Sequence, residues 1–301
     1  MHDRAGLLGE MHLLNALFDH VSEALRNALV AVVLPLPFFG LLAFAIKRRR
    51  LFGDIRRAIP ESRINLIIHF TDAIVVAPVM LVLSVAMENA FAAYGLLLVP
   101  ARLWEGLHPV AVGLAAVFLG DFMGYWRHRI EHTPFLWPSH AIHHSDTEMT
   151  WLAIFRFHPF NRLSTTMLDY AFLLALGLPA YALVINSFVR HFYGAFIHAD
   201  LPWTYGPLRI VFVSPAMHRW HHSIDPAAYN TNFATVFSLF DRVFGTFRVP
   251  GVCSTPLGVS ELVAQGALAQ MAHPLRPSSY RYLRRRLARS GRALRAFANL
   301  P

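Results

Sequence analysis

The sequence predicts an all-α integral membrane protein with about four spans, one of them a hairpin pair, and a cytoplasmic helical cap rich in histidine. Three observations predict it. Of the 301 residues, 55% are apolar and only 15% are charged, against roughly a quarter charged in an ordinary soluble domain. Apolar runs reach the ~20 residues that a membrane-crossing helix needs. Basic residues cluster beside those runs, where they set orientation and attract anionic headgroups. The composition excludes a disordered chain, which needs low hydrophobicity and high charge. The placement of the basic residues accounts for the net charge of +9 without nucleic acid as a partner.

Residues 1–26 read as an amphipathic lead, with Leu7, Leu8, Leu13, Leu14, Leu17 and Phe18 among charges. A basic start and a small-residue cleavage site, the marks of a signal peptide, are missing. The first span covers about residues 27–46 and is followed at once by Lys47-Arg48-Arg49-Arg50, then Arg56, Arg57 and Arg63. The positive-inside rule makes that segment a cytoplasmic loop. The second span, about residues 66–91, returns outward. It contains Asp72 and Pro78, so its start sits at the interface or against protein. Residues 92–107 form an outer loop with Tyr94 and Trp104 as belt residues. The third span, about residues 109–126, runs back inward and carries Asp121. An acid inside a membrane helix is costly and marks a functional candidate.

Residues 165–197 are apolar for too long to form one ordinary span, and Gly177-Leu178-Pro179 sits near the middle. Two tilted or half-depth helices meeting there would enter and leave on one side; a single long span would not. Residues 200–301 hold no further run of span length and read as a cytoplasmic cap. After Glu261 the tail carries eight arginines and no acid, which suits a solvated helix or one lying on anionic lipid. The chain is thus one membrane domain (1–301), divided into a lead with two spans (1–107), a catalytic region (108–250) and a basic cytoplasmic tail (251–301). The lone Cys253 excludes an intrachain disulfide and a thiolate-ligated zinc or iron–sulfur site, each of which needs several cysteines.

Seventeen histidines are present, and eight of them fall in three clusters. These are His128 and His132; His140, His143 and His144; and His218, His221 and His222. Residues three and four apart share a helix face, so each cluster is expected to project its imidazoles in one direction from one rigid element. Eight neutral imidazoles exceed what one tetrahedral ion can use and suit a pair of metal ions. Imidazole accepts iron, zinc, copper and nickel alike. Iron follows from the chemistry such a site suits, dioxygen activation against a lipid C–H bond, because zinc has no redox chemistry. All eight ligands can meet only if residues 165–197 return to the same side, which selects the hairpin. His128-Arg-Ile-Glu131-His132 also matches the inverted zinc-protease signature, with Glu131 as general base, but that reading leaves five clustered histidines unused. A metal transporter is a third possibility, though its ligands should lie at mid-depth within spans.

These motifs resemble the fatty acid hydroxylase/sterol desaturase superfamily of membrane di-iron oxygenases. The resemblance runs from Asp121 through the first two clusters, Arg156-Phe-His158-Pro159, Pro215-Ala-Met-His218, Asn230-Thr-Asn232-Phe and Asp241-Arg-Val-Phe-Gly-Thr246. It implies two iron ions (Fe2+/Fe3+), dioxygen as co-substrate, and electrons from a separate ferredoxin- or cytochrome-type donor. It implies metal ligation by His128, His132, His140, His143, His144, His218, His221 and His222, with His198 at the hairpin end as a ninth ligand and His191 ranked below it. Asp121, His158, Asn232 and Asp241, together with Glu131, are second-sphere candidates, the acids as acceptors that fix ring tautomers. Trp151, Phe155, Phe157, Trp220 and Phe233 could line an apolar substrate slot. The implied partners are a membrane lipid substrate, sterol- or hopanoid-like or fatty acyl, and the bilayer. The expected location is a bacterial inner membrane, with the site on the cytoplasmic face.

Overall fold

The computed structural model describes residues 2–259 and 265–281, and every regular element among them is helical. The chain opens with α1 (His2–Val33) and α2 (Leu36–Lys47), separated at Pro35, whose ring and missing N–H interrupt a helix. Then α3 (Arg50–Thr71) runs through a π-helical turn (Asp72–Val76) into α4 (Ala77–Tyr94). The long α5 (Pro109–Glu131) is followed by the short α6 (Trp137–His144) and α7 (Pro159–Ser164). A second π-helical turn (Thr165–Tyr170) leads to α8 (Ala171–Ala175), and α9 (Ala180–His198) follows. The short α10 (Pro215–His221), α11 (Leu239–Val243) and α12 (Ala267–Met271) complete the set.

Three helical stretches are long and apolar enough to cross a membrane: Phe18–Lys47, Arg50–Tyr94 and Pro109–Glu131. The chain is an integral membrane protein. Residues 165–197 are not among the three, so the hairpin enters the structure as a packed pair and not as a fourth long span.

The basic segment expected as a loop is helical from Arg50 onward, despite Pro60. The reason lies in one face of α3. Glu61, Asn65 and His69, at i, i+4 and i+8, each find a fixed partner. Glu61 accepts from Arg156 at 2.5 Å, Asn65 donates to Asp146 at 2.9 Å, and His69 Nε2 lies 3.1 Å from the Ala28 carbonyl. A helix is the conformation that aligns those three groups. The first half of this 45-residue helix therefore lies against α1 and the 146–156 segment, and α4 is left with exposed Val79, Leu81, Val82 and Val85 as its apolar surface.

The expected break appears at Gly177, whose φ of +64° suits glycine. Trp104 donates its indole N–H to Leu176 at 2.8 Å, and Leu98 N bonds Ala175 O at 2.7 Å. The hairpin tip is thus fastened to the 95–108 loop. Both hairpin ends lie at the other end of α5: Asn161 contacts His140 and His198 contacts His143. Trp104 is half-buried as a hairpin fastener, whereas Tyr94 is exposed.

The hairpin arm α9 packs closely along α5 because α5 presents glycines to it. A Cβ on Gly120 would run into Asn186, and one on Gly124 into the Arg190 guanidinium. The Arg190 side chain admitted this way bonds Asp169 at 2.9 Å, and Asp169 also accepts from Arg127 at 2.8 Å. Arg127 reaches Glu131 at 2.8 Å. Two partly buried cations are held by two buried acids, which offsets the cost of removing each from water. Phe18 is exposed; the other leucines singled out in the lead, and the arginines beyond Arg281 in the tail, lie outside the residues whose side chains are described.

Candidate metal centre

Four elements carry nine histidines to one place. His128 ends α5 with His132 as its C-cap, α6 carries His140, His143 and His144, α9 ends on His198, and α10 carries His218 and His221 with His222 as C-cap. The rings sort into two groups. His128, His132, His140, His144 and His221 form the first; His143, His198, His218 and His222 form the second. Within each group the possible ligand atoms lie within 4.8 Å of one another. The groups adjoin, with His144 stacked on His222 at 4.3 Å between ring centroids.

Each H-x-x-H-H cluster is divided, contrary to the expectation that it would point one way. On α6, His140 and His144 join the first group and His143 the second. On α10, His218 and His222 join the second and His221 the first. The reason is helical geometry. Residues at i and i+4 are 40° apart around an ideal helix and those at i and i+3 are 60° apart on the other side. The middle histidine of each motif therefore diverges from the outer pair and reaches the neighbouring group. His198, at the end of α9 and between the two motifs in sequence, completes the second group beside His143 and His218 at 3.1 and 2.9 Å.

The tautomers make these groups fit for cations. Nδ1 of His128 donates to Phe233 O at 2.7 Å, Nδ1 of His221 to Thr231 O at 2.7 Å, and Nδ1 of His198 to Gly194 O at 2.6 Å. A carbonyl only accepts, so each Nδ1 carries the proton and each neutral ring keeps a lone pair on Nε2. Yet Nε2 of His128 and Nε2 of His221 stand 2.9 Å apart. Two lone pairs facing each other is not a hydrogen bond. Burial opposes protonating either ring: it pushes His221 down to about 4, and it holds His132, His140, His143, His144, His218 and His222 well below the usual imidazole range. A metal cation between such nitrogens satisfies both, and the donor set, all imidazole, fits a divalent transition metal.

Residues 113–246 match the family model described as Fatty acid hydroxylase. Among similar proteins is an ornithine lipid hydroxylase from Rhizobium tropici, 35% identical over 57% of this chain and 51% of that protein. Human alkylglycerol monooxygenase is 31% identical over 44% of this chain and 30% of its own length. A Delta(7)-sterol 5(6)-desaturase from Gibberella zeae is 29% identical over 43% of this chain and 36% of its own.

Over residues 113–246 this chain is similar to the fatty acid hydroxylase/sterol desaturase superfamily.

The chain spans about half the length of the Rhizobium relative and under a third of the human one. No solved structure matches it. All nine clustered histidines fall inside the matched residues 113–246.

Within those residues the expected second-sphere candidates take different roles. Asp121 touches no imidazole. Fully buried, it accepts from three consecutive backbone amides, Thr235 at 3.1, Val236 at 3.0 and Phe237 at 2.7 Å. Asp241 likewise binds backbone, Phe233 N at 2.7 and Ala234 N at 2.9 Å, with Thr246 Oγ1 at 2.6 Å. Both carboxylates fold the 231–237 loop, and that loop presents the Phe233 and Thr231 carbonyls to the rings. They act on the histidines through the peptide, which is a correction to direct contact. Asn232 adopts φ +62° and ties the loop to Met217 O at 3.0 Å and Arg248 O at 2.7 Å. His158 stands outside both groups; it caps α7 through Phe160 N at 3.1 Å and meets Met271 O at 3.1 Å. His191 also lies outside both groups, with its ring 6.0 Å from Phe155.

Glu131 is the acid beside a ring, 3.5 Å from His140 Nδ1. It accepts from Arg127 and from Ser164 at 2.5 Å, so it is occupied on the outer edge of His140, away from the convergent Nε2 atoms. A general base for hydrolysis would need to face a metal-bound water, which this orientation denies. Asn161, 3.2 Å from His140 Nδ1, and Ser164 escaped sequence reasoning because neither belongs to a histidine motif; their place at the first turn of the hairpin is the signal that could have found them. Of the aromatic candidates, Phe157 stacks on His143 at 4.5 Å and Phe233 meets His128, His132 and His221 edge-on. Trp151 and Phe155 pack instead with Phe39, and Trp220 with Met149 and Cys253.

The depressed imidazoles set a pH dependence. A histidine whose folded pKa lies below its unfolded value of ~6.5 contributes stability fully above 6.5 and loses it as pH falls toward the folded pKa, because the unfolded chain binds the proton first. Buried Asp146 and Asp241, both raised by burial and Asp241 to about 6, act in the opposite sense, but they oppose seven imidazoles. Thermal unfolding of chelator-treated protein is expected to shift to lower temperature as pH goes from 7.5 to 5.5. An unchanged midpoint would show that the rings are not held neutral.

Proposed function

We propose that this protein is a membrane-bound non-haem di-iron oxygenase that hydroxylates or desaturates an unactivated C–H position of a membrane lipid. The observation that carries this reading is the convergence of nine imidazoles, seven of them buried, into two adjoining groups, five and four, within the residues that match the fatty acid hydroxylase family. One iron would be held by His128, His132, His140, His144 and His221, the other by His143, His198, His218 and His222. When bound, the pair supplies dioxygen activation and removal of hydrogen from carbon, chemistry that no side chain offers.

The chain's own residues do the rest. The Phe233, Thr231 and Gly194 carbonyls hold three rings in the tautomer that leaves Nε2 free. Phe157 and Phe233 cover the rings and exclude water. A cavity of about 550 Å3 between α5, the hairpin and α4 reaches Phe157 and Asn161, which touch His143 and His140. This cavity is the proposed substrate slot. The names of the relatives, an ornithine lipid hydroxylase and alkylglycerol monooxygenases among them, support a lipid with a polar head as substrate. Electrons come from a separate ferredoxin- or cytochrome-type donor. The proposed site faces the cytoplasm of a bacterial inner membrane, following the arginines around Lys47.

The test is metal analysis of the purified protein beside lipid profiling of cells with and without the gene. Iron near two per chain and a lipid that gains one oxygen or loses two hydrogens, dependent on dioxygen and reductant, is the expected result. Zinc at that stoichiometry with an oxygen-independent lipid hydrolysis product would replace the oxygenase by a hydrolase.

A further inference from the structure

A second cavity, of about 340 Å3, lies between α2, α3 and the 149–152 segment, and none of the nine histidines lines it. Its wall is apolar: Leu36, Phe39 and Ala43 from α2, Ile55 and Ile59 from α3, and Trp151, which stacks on Phe39 at 4.9 Å. Leu36, Ile55 and Ile59 are about half exposed, so the groove is open along the seam between the two helices. Gly40 also lines it, and a Cβ there would meet nothing within 4 Å. The groove is unfilled at that point by any side chain of the protein.

The charged residues that line one end of the groove, Lys47, Arg57 and Arg219 with Asp54, Glu148 and Asp200, pair with one another, and the excess positive charge lies just beside them. Lys47 is paired with Asp54 at 2.9 Å and with Asp200. Between Lys47 and Leu51, both lining residues, come Arg48, Arg49 and Arg50. All three are exposed, and among the described residues no ion pair or side-chain hydrogen bond holds them. Arg56, one turn beyond Phe52, is exposed in the same way. On α3 the apolar Phe52, Ile55 and Ile59 are exposed beside these arginines. A helix with exposed apolar residues flanked by arginine lies in the membrane interface, where phosphate groups are found. An apolar groove with unpaired arginines beside its charged end suits one amphipathic anion.

The geometry points to a binding site for one anionic phospholipid, separate from the substrate. One acyl chain lies along Leu36, Phe39, Ala43, Ile55 and Ile59, and the phosphate meets Arg48, Arg49 and Arg50. The floor of the groove includes Ala199 and Leu201, the residues that follow His198. The bound lipid therefore closes the outer side of the segment that ends α9. This site does not depend on the reaction assigned to the histidines.

The experiment is native mass spectrometry of the full-length protein from mixed micelles containing equal phosphatidylglycerol and phosphatidylcholine. The expected result is one retained phosphatidylglycerol per chain. Arg48→Gln, Arg49→Gln and Arg50→Gln together leave the groove intact, and the preference for phosphatidylglycerol falls by about 100-fold, as three arginines at an anionic surface imply. Gly40→Phe fills the groove and abolishes retention with every arginine in place; Ala43→Phe, one turn on, gives the same loss should the first variant fold poorly. Three results would overturn the site: no retained lipid in the parent protein, retention undiminished by both groove-filling variants, or a retained lipid that is the substrate or its oxidised product.

Discussion

Replacing His198 by alanine is expected to halve the bound iron, from about two per chain toward one, and to abolish product. His198 stands 3.1 Å from His143 and 2.9 Å from His218, nitrogen to nitrogen, in the smaller of the two groups. Its loss leaves three imidazoles in that group and five in the other. The drop in activity should exceed the roughly 10- to 100-fold that removal of an outer-sphere partner costs, since the proposed function makes His198 a ligand itself. Iron content and oxygen uptake on the same sample separate this from misfolding: the five-histidine group should still bind its ion. The matching control is His191→Ala. His191 lies seven residues earlier on α9 and belongs to neither group, so iron should stay near two per chain. If His198→Ala kept its full complement of iron, the four-histidine group would not be a metal site.

Replacing Asp121 by leucine is expected to be the most destabilising single change away from the histidines. The carboxylate is fully buried and satisfies three backbone amides of Thr235, Val236 and Phe237, with Arg190 3.7 Å away. Removing it orphans three buried donors and leaves Arg190 with Asp169 alone. Breaking one side of a buried charged cluster costs about 3–5 kcal/mol, a large share of the 5–15 kcal/mol that stabilises a typical protein. The loop it holds carries Phe233, whose carbonyl fixes His128. Yield of detergent-soluble monomer and its melting temperature should both fall sharply, and iron should be lost from the five-histidine group before the other. Asp121→Asn is the milder comparison: it keeps one acceptor oxygen and should retain part of the stability. Wild-type yield and melting from Asp121→Leu would mean that the three amides find other partners.

The membrane character, the helical class and the break at Gly177 were all legible in the sequence because each depends on local composition. A run of apolar residues is long enough or it is not, and a Gly-Leu-Pro step ends a helix wherever it occurs. The basic stretch after Lys47 misled the reading for the same reason. Its charges suggested a solvated loop, but the partners that make it a helix, Arg156 and Asp146, lie some ninety residues away in sequence. Asp121 was marked correctly as a costly buried acid and assigned to the wrong neighbours: the amides it binds are 114 to 116 residues distant.

The histidine motifs divide along the same line. Residue type and spacing were sufficient to show imidazoles in rows on helices, and hence a candidate site for metal. How those rows are shared was a matter of packing. The i+3 member of each H-x-x-H-H motif turns away from its companions by helical geometry, but which group receives it depends on how α6, α9 and α10 meet. Three-dimensional assembly also supplied the carbonyls of Thr231, Gly194 and Phe233, since every residue offers the same backbone oxygen and no sequence pattern distinguishes the one that will face a ring.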